Sequence, residues 1–183
     1  MKPLLRFDAV SCRRGGRLLF DNLDLALGPG EALHVKGPNG SGKSSLIRLA
    51  AGLLQPLSGI VERSSAGIAD EHLALDRELA LREAMSFWGG EFEGAMRAFG
   101  LLPLAEVPVR LLSAGQAKRA ALARAAASAA PLWLLDEPAN GLDKGSVDLL
   151  ANAIERHRAS GGAVVAASHL PLPADWQTLE LGG

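Results

Sequence analysis

The octapeptide GPNGSGKS, Gly37 to Ser44, decides how the rest of the chain is read. It satisfies G-x-x-x-x-G-K-[ST] at every fixed position. Glycines at these places let backbone amides turn inward around phosphate oxygens. Lys43 adds a mobile positive charge toward the β- and γ-phosphates, and the Ser44 hydroxyl is placed to meet Mg²⁺. The segment before it, EALHVKG (Glu31 to Gly37), predicts a short buried strand. The segment after it, KSSLIRLAAGLL, carries Leu46, Leu49, Ala50 and Leu53 at helical spacing, with Gly52 and Pro56 marking its end. Strand, glycine loop and helix in that order separate a phosphate loop from an ordinary turn. The expected phosphate contacts are Gly37, Pro38, Asn39, Gly40, Ser41, Gly42, Lys43, Ser44 and Ser45.

Further along, PLWLLDEP predicts a buried strand that ends in two acids, and AVVAASH predicts another that ends in His169. GSVDLLANAIERHRAS (Gly145 to Ser160) between them is an amphipathic helical pattern closed by Gly161-Gly162. LLRFDAV and LDLAL near the start predict strands joined by a turn at RRGGR, and WQTLELG predicts a last edge strand. From about Leu79 to Leu102 the spacing is helical, with Phe87, Trp88, Phe92, Met96 and Phe99 supplying bulk. Short apolar strands alternating with helices imply an α/β fold with a parallel sheet covered on both faces. Sites in such sheets lie beyond the carboxyl ends of the strands. The phosphate loop, Asp136-Glu137 and His169 all fall there. Asp136 is then the expected Mg²⁺ ligand, through a water, together with Ser44. Glu137 is placed to orient and polarise an attacking water. His169 is a third candidate, as a contact to the γ-phosphate or to that water, and Lys43, Glu137 and His169 form the expected catalytic set.

LLSAGQAKRAALARAAA (Leu111 to Ala127) starts as Ser-x-x-Gln, which fits a capping box between Ser113 and Gln116. Free amides at a helix start also attract anions. The chain therefore carries a second candidate anion site far from the first in sequence.

Composition narrows the classes. The 183 residues suit a single domain over 1–183 with a substantial core. Net charge is −1, without the basic excess that a nucleic-acid backbone favours. One cysteine, Cys12, excludes an internal disulfide and is a poor metal site; a reducing, cytosolic setting fits. Arg6 and Asp8 interrupt any secretory core near the start. The longest uncharged apolar run, Ala125 to Leu135, is too short to span a bilayer and contains Pro131, so a soluble protein is expected.

GPNGSGKS, LSAGQ, LLDEP, GLD and the strand-end His169 occur in the order seen in ATP-binding cassette ATPases, and the chain resembles that family over nearly its whole length. CRRGGRLLF, GPNGSGKSSLIRLAAGLLQPLSG, the Phe87-Trp88 pair, PVRLLSAGQAKRAALARA and LWLLDEPANGLD look in particular like the ATP-binding subunits of haem exporters of cytochrome c maturation. The resemblance implies a P-loop NTPase core with an N-terminal antiparallel β subdomain and a helical insert at about residues 71–127. It implies ATP and Mg²⁺ as ligands, and two subunits facing head to tail. Ser113, Gly115 and Gln116 would then face the γ-phosphate held on Lys43 of the partner subunit, as an isologous pair. Gly141 to Asp143 would form the loop that crosses between subunits. It implies an integral membrane permease as partner, reached through the helical insert at the cytoplasmic face of the cell membrane.

Three departures stand out. With no tyrosine in the chain, the aromatic residue that usually stacks on adenine is missing, and Arg13 or Arg14 stands near its place. The usual glutamine before the helical insert is also absent, with Glu71 or His72 in GIADEH as substitutes; Ala114 replaces a common glycine in the signature. A soluble cassette acting on nucleic acid or ribosomes is the competing class. The lack of a long coiled coil, of a second cassette and of a basic run counts against it, so no nucleic-acid partner is expected.

Overall fold

The computed structural model describes residues 2–89, 91–169 and 175–182. Two sheets share the chain. The first is antiparallel, with β1 (Leu5–Arg14) between β2 (Arg17–Leu27) and β4 (Ser58–Arg63). β1 and β2 form a hairpin whose tip is Gly15-Gly16, both at positive φ, as a two-residue turn of this twist requires. The second sheet has five parallel strands in the order β5 (Ala66–Ala69), β6 (Leu132–Asp136), β7 (Ala163–Ala167), β3 (Ala32–Lys36) and β8 (Gln177–Glu180).

Period-two alternation places the core on both faces of this parallel sheet. Leu132, Leu134, Ala163, Val165, Leu33 and Val35 pack toward helix α1 (Lys43–Ala51) and the antiparallel sheet. Trp133, Leu135, Val164 and Ala166 pack the other way, against α4 (Ala114–Ala127) and α5 (Lys144–Ala159). Every residue of β7 is buried, as a strand covered on both faces must be.

The helical region differs from the expected pattern. In place of one periodic run from Leu79 to Leu102 there are two short helices, α2 (Leu81–Ser86) and α3 (Phe92–Ala98). Gly89, at φ 67°, lies just beyond α2 in a turn that continuous helix cannot adopt. Met96 and Phe99 enter the core as expected. Phe87 does not: it is 83% exposed, and Trp88 is 36% exposed with the Arg124 guanidinium 4.7 Å over its ring. Strands β4 and β5 carry no clear alternation in the sequence and are additional to the elements expected from it. The turn at RRGGR, the end of α1 at Gly52 and the edge position of β8 all agree with the sequence reading.

Candidate functional site

Strands β3 and β6 run parallel on either side of β7, so the segments leaving their carboxyl ends emerge at one edge. The loop from Gly37 leaves β3 there, and Asp136-Glu137 ends β6. Together they enclose a cleft of about 690 Å³, lined by Asn39, Gly40, Gly42, Lys43, Ser44, Ser45, Asp136 and Glu137. The tip of the β1–β2 hairpin closes its other side with Arg14, Gly15, Arg17 and Leu19.

The loop is held by its own geometry. Gly37 sits at φ 145°, and a Cβ on it would lie 2.4 Å from the Leu181 carbonyl and 2.6 Å from Ser41 Oγ. No side chain larger than hydrogen fits. Lys43 Nζ donates to the Gly37 carbonyl at 2.9 Å and to the Pro38 carbonyl at 3.2 Å, drawing the loop into a ring around the ammonium. Helix α1 begins at Lys43 with no side-chain cap, so its first-turn amides remain available to an anion. The Ser41 hydroxyl is buried without a partner among the described residues.

The acids occupy the far wall. Burial raises the Asp136 pKa, with the neighbouring Glu137 charge adding to it; a hydrogen bond from Ser44 and the charges of Lys118 and Arg48 oppose the rise. Ser44 and Asp136 therefore stand side by side on the cleft wall. Glu137 has φ 46°, a conformation that is uncommon for a residue with a side chain, and its amide donates to the Ala167 carbonyl at 2.8 Å. This strained junction turns the carboxylate off the strand end. Glu137 Oε2 is sealed from solvent and accepts no aligned hydrogen bond among the described residues, although His169 Nδ1 stands 2.9 Å away. His169, itself more than half exposed, thus joins the acids rather than the loop.

Ser113, Gly115 and Gln116 do not line this cleft. Ser113 N-caps α4: its hydroxyl accepts from the Gln116 amide at 3.3 Å, and the Gln116 side chain accepts from the Ser113 amide at 2.8 Å. The expected capping box is present. A Cβ on Gly115 would lie 3.5 Å from the Gly141 carbonyl, so the helix start packs beside the Gly-Leu-Asp loop. Asp143 of that loop caps α5 in the same protomer, accepting from the Ser146 amide at 2.7 Å.

Of each pair of candidate substitutes, one member lines the cleft or the cavity beside it. Arg14 lines the cleft and Arg13 does not. Glu71 lines a smaller adjoining cavity of about 270 Å³ with Ser44, Lys118, Asp136, Glu137 and Asn140, and pairs with Arg48 at 3.7 Å. His72 instead faces Asp70 and solvent. Arg17, Leu19, Lys118 and Asn140 were not foreseen. Lys118 donates to the Asp136 carbonyl at 3.1 Å, and burial lowers its pKa against the pull of Asp136, Asp70 and Glu137. One signal was present: Lys118 lies three, four and seven residues before Ala121, Leu122 and Ala125, on the buried face of α4.

A phosphate loop and an acid pair at one edge of a parallel sheet, with a separate signature helix start, define a P-loop ATPase of the cassette type. The family model described as ABC transporter matches residues 20–140, and the chain belongs to that family. The fold agrees: a dimeric bacterial ABC transporter cassette superposes with a TM-score of 0.85 at 22% identity, over 97% of this chain and 94% of that one. Within the family, the cytochrome c biogenesis ATP-binding export protein CcmA of Sphingopyxis alaskensis is 54% identical over 94% of this chain and 93% of its own. The protein of that name from Novosphingobium aromaticivorans is 57% identical, covering 89% and 87%. The chain belongs with these CcmA proteins. Among the described residues no helix is long and apolar enough to cross a membrane.

Proposed function

We propose that this chain is the ATP-hydrolysing subunit of an ABC exporter serving cytochrome c biogenesis, with haem as the cargo. It works as a head-to-tail homodimer on a separate integral permease, at the cytoplasmic face of the cell membrane and without a nucleic-acid partner. One observation carries the reading: the cleft around Lys43 brings Asn39, Gly40, Gly42, Ser44 and Ser45 together with Asp136 and Glu137, while Ser113 and Gly115 are not among its lining. A protomer with a second anion site outside its own cleft is matched by a partner offering the complementary one. The relatives' names support the export role, and the dimeric cassette supports the pairing.

The residues divide the work. The α1 amides and Lys43 bind the phosphates, with Lys43 exchanging its carbonyl partners for phosphate oxygens. Glu137 accepts a hydrogen bond from the attacking water and directs it in line with the leaving group; no covalent intermediate is needed. His169, 2.9 Å from that carboxylate, holds its orientation and reaches toward the γ-phosphate. Ser113 of the partner subunit caps its own helix as an acceptor while its hydroxyl proton remains free to donate to that phosphate.

The site fits Mg²⁺. Ser44 and Asp136 supply hard oxygen donors side by side. One hydroxyl and one carboxylate suit an ion carried mainly by nucleotide and water. When bound, Mg²⁺ neutralises charge on the β- and γ-phosphates.

The unit is a single ATP-binding domain over 1–183, with the helical subdomain at about 71–127 docking the permease. Purified protein is expected to hydrolyse ATP. Lys43→Ala abolishes nucleotide binding or turnover, and Glu137→Gln binds ATP, loses turnover and accumulates as a dimer on a sizing column. A Glu137→Gln variant that turns over like the parent would remove the assigned role, and a Lys43→Ala variant with unchanged affinity and turnover would remove the site.

A further inference from the structure

The peptide bond between Asp136 and Glu137 is held at both ends. Its N–H donates to the Ala167 carbonyl on β7 at 2.8 Å, and its carbonyl accepts from Lys118 Nζ at 3.1 Å. Turning this peptide plane is the local motion that would return Glu137 from φ 46° to the negative values preferred by residues with side chains. Both hydrogen bonds must break first. Relaxation there would also reset the direction in which the Glu137 carboxylate leaves the strand end.

The two anchors differ in kind. Ala167 is fixed in the sheet, on a strand whose every residue is buried. Lys118 is a side chain of α4, about 7.5 Å along the helix axis from the Ser113 cap. It does not line the nucleotide cleft. It lines the smaller adjoining cavity with Ser44, Glu71, Asp136, Glu137 and Asn140, within the field of the Asp136, Asp70 and Glu137 carboxylates. A half-buried ammonium is costly unless its partners hold it. A charged donor also binds a carbonyl more firmly than a neutral one.

We propose that Lys118 is a positioning residue for hydrolysis: it holds the Asp136–Glu137 peptide in its strained conformation and so aims the Glu137 carboxylate at the attacking water. It touches no phosphate and moves no proton. Its role is to tie the catalytic acid at the end of β6 to helix α4.

This inference rests on the role given to Glu137 above, and the experiment separates the two. Steady-state ATP hydrolysis is compared in the intact parent, Lys118→Met, Lys118→Gln and Lys118→Arg, with folding checked by circular dichroism and thermal unfolding. ATP affinity is measured by calorimetry with each substitution placed in Glu137→Gln. Lys118→Met keeps the length and loses the donor. Its kcat is expected to fall about 10- to 100-fold, while KM and ATP affinity stay with the parent's. Lys118→Arg restores a charged donor and recovers most of the lost turnover. Should Lys118→Met not fold, Lys118→Gln, a neutral donor, carries the same test with a smaller loss. A folded neutral variant with the parental kcat overturns the inference. So does an ATP affinity that falls as far as kcat, or a loss that arginine does not recover, since Lys118 would then serve the cleft or the packing of α4. A Glu137→Gln variant that turns over like the parent removes the underlying role of Glu137, and the inference with it, whatever Lys118 does.

Discussion

Ser113 is asked to do two things, and a pair of substitutions separates them. In this structure it caps α4 through the reciprocal bonds with Gln116, at 3.3 and 2.8 Å. In the proposed dimer its hydroxyl donates to the γ-phosphate of the facing subunit. Ser113→Ala removes the cap, which costs about 1 kcal/mol. For a chain of this size that lowers the melting temperature by about 2–4 °C. Ser113→Asp keeps a good cap, and its charge at a helix N-terminus is favourable, so stability stays within about 0.5 kcal/mol of the parent. Turnover runs in the other order. Loss of one hydrogen bond to a charged phosphate costs about 1.5–3 kcal/mol in Ser113→Ala, or about 10- to 100-fold at 1.4 kcal/mol per decade. A carboxylate about 4 Å from a phosphate charge costs about 4 kcal/mol at an effective dielectric near 20, roughly a thousandfold. The assays are thermal unfolding of the nucleotide-free protein and steady-state ATP hydrolysis. The reasoning requires a reversal: parent and Asp above Ala in stability, and parent above Ala above Asp in turnover. If Ser113→Asp hydrolyses ATP at the parental rate, Ser113 faces no phosphate and the composite site is wrong.

His157 stacks on Trp133 with ring centroids 4.0 Å apart, and burial holds its pKa below the ordinary histidine value, against carbonyl contacts at Pro131 and Ala163. The folded state then binds fewer protons than the unfolded state, whose histidine titrates near ~6.5. Stability contributed here is present above that pH and is lost as pH falls below it toward the depressed folded pKa. His157→Phe keeps a stacked ring and removes the proton, so its urea midpoint should drop less than the parent's between pH 7.5 and 5.5; equal drops would contradict the assignment. Gly67 in β5 lies under α4, where an added Cβ would approach the Ala125 carbonyl to 2.4 Å. Gly67→Ala should destabilise by about 1–3 kcal/mol through overpacking against backbone that has little room to yield, measured by urea unfolding. A neutral result would mean that α4 shifts freely on the sheet.

Much of the site could be read along the chain because local chemistry demands it. A loop that wraps phosphate needs glycines where Gly37 and its neighbours stand. A parallel strand buried on both faces needs an unbroken apolar run, which made β6 and β7 visible, and capping needs Ser113 and Gln116 three apart. The misreadings have equally local causes. β4 is an exposed strand with no hydrophobic alternation, and β5 is only four residues, Ile68 among alanines and a glycine, so neither leaves a periodic mark. Phe87 and Trp88 fit a helical period that Gly89 then ends, which left Phe87 outside the core.

Sequence alone determined the phosphate loop, the acid pair, the capped signature helix and the order in which they come, since each follows from residues adjacent in the chain. Only the tertiary structure decided which side chains meet across the sheet edge. The five-strand order brings the ends of β3 and β6 together on either side of β7, and the hairpin register turns Arg14 and Arg17, not Arg13, toward the cleft. Glu71 rather than His72 came to face the acids for the same reason. These are contacts between segments far apart in the chain, fixed by strand order and packing, and no local spacing encodes them.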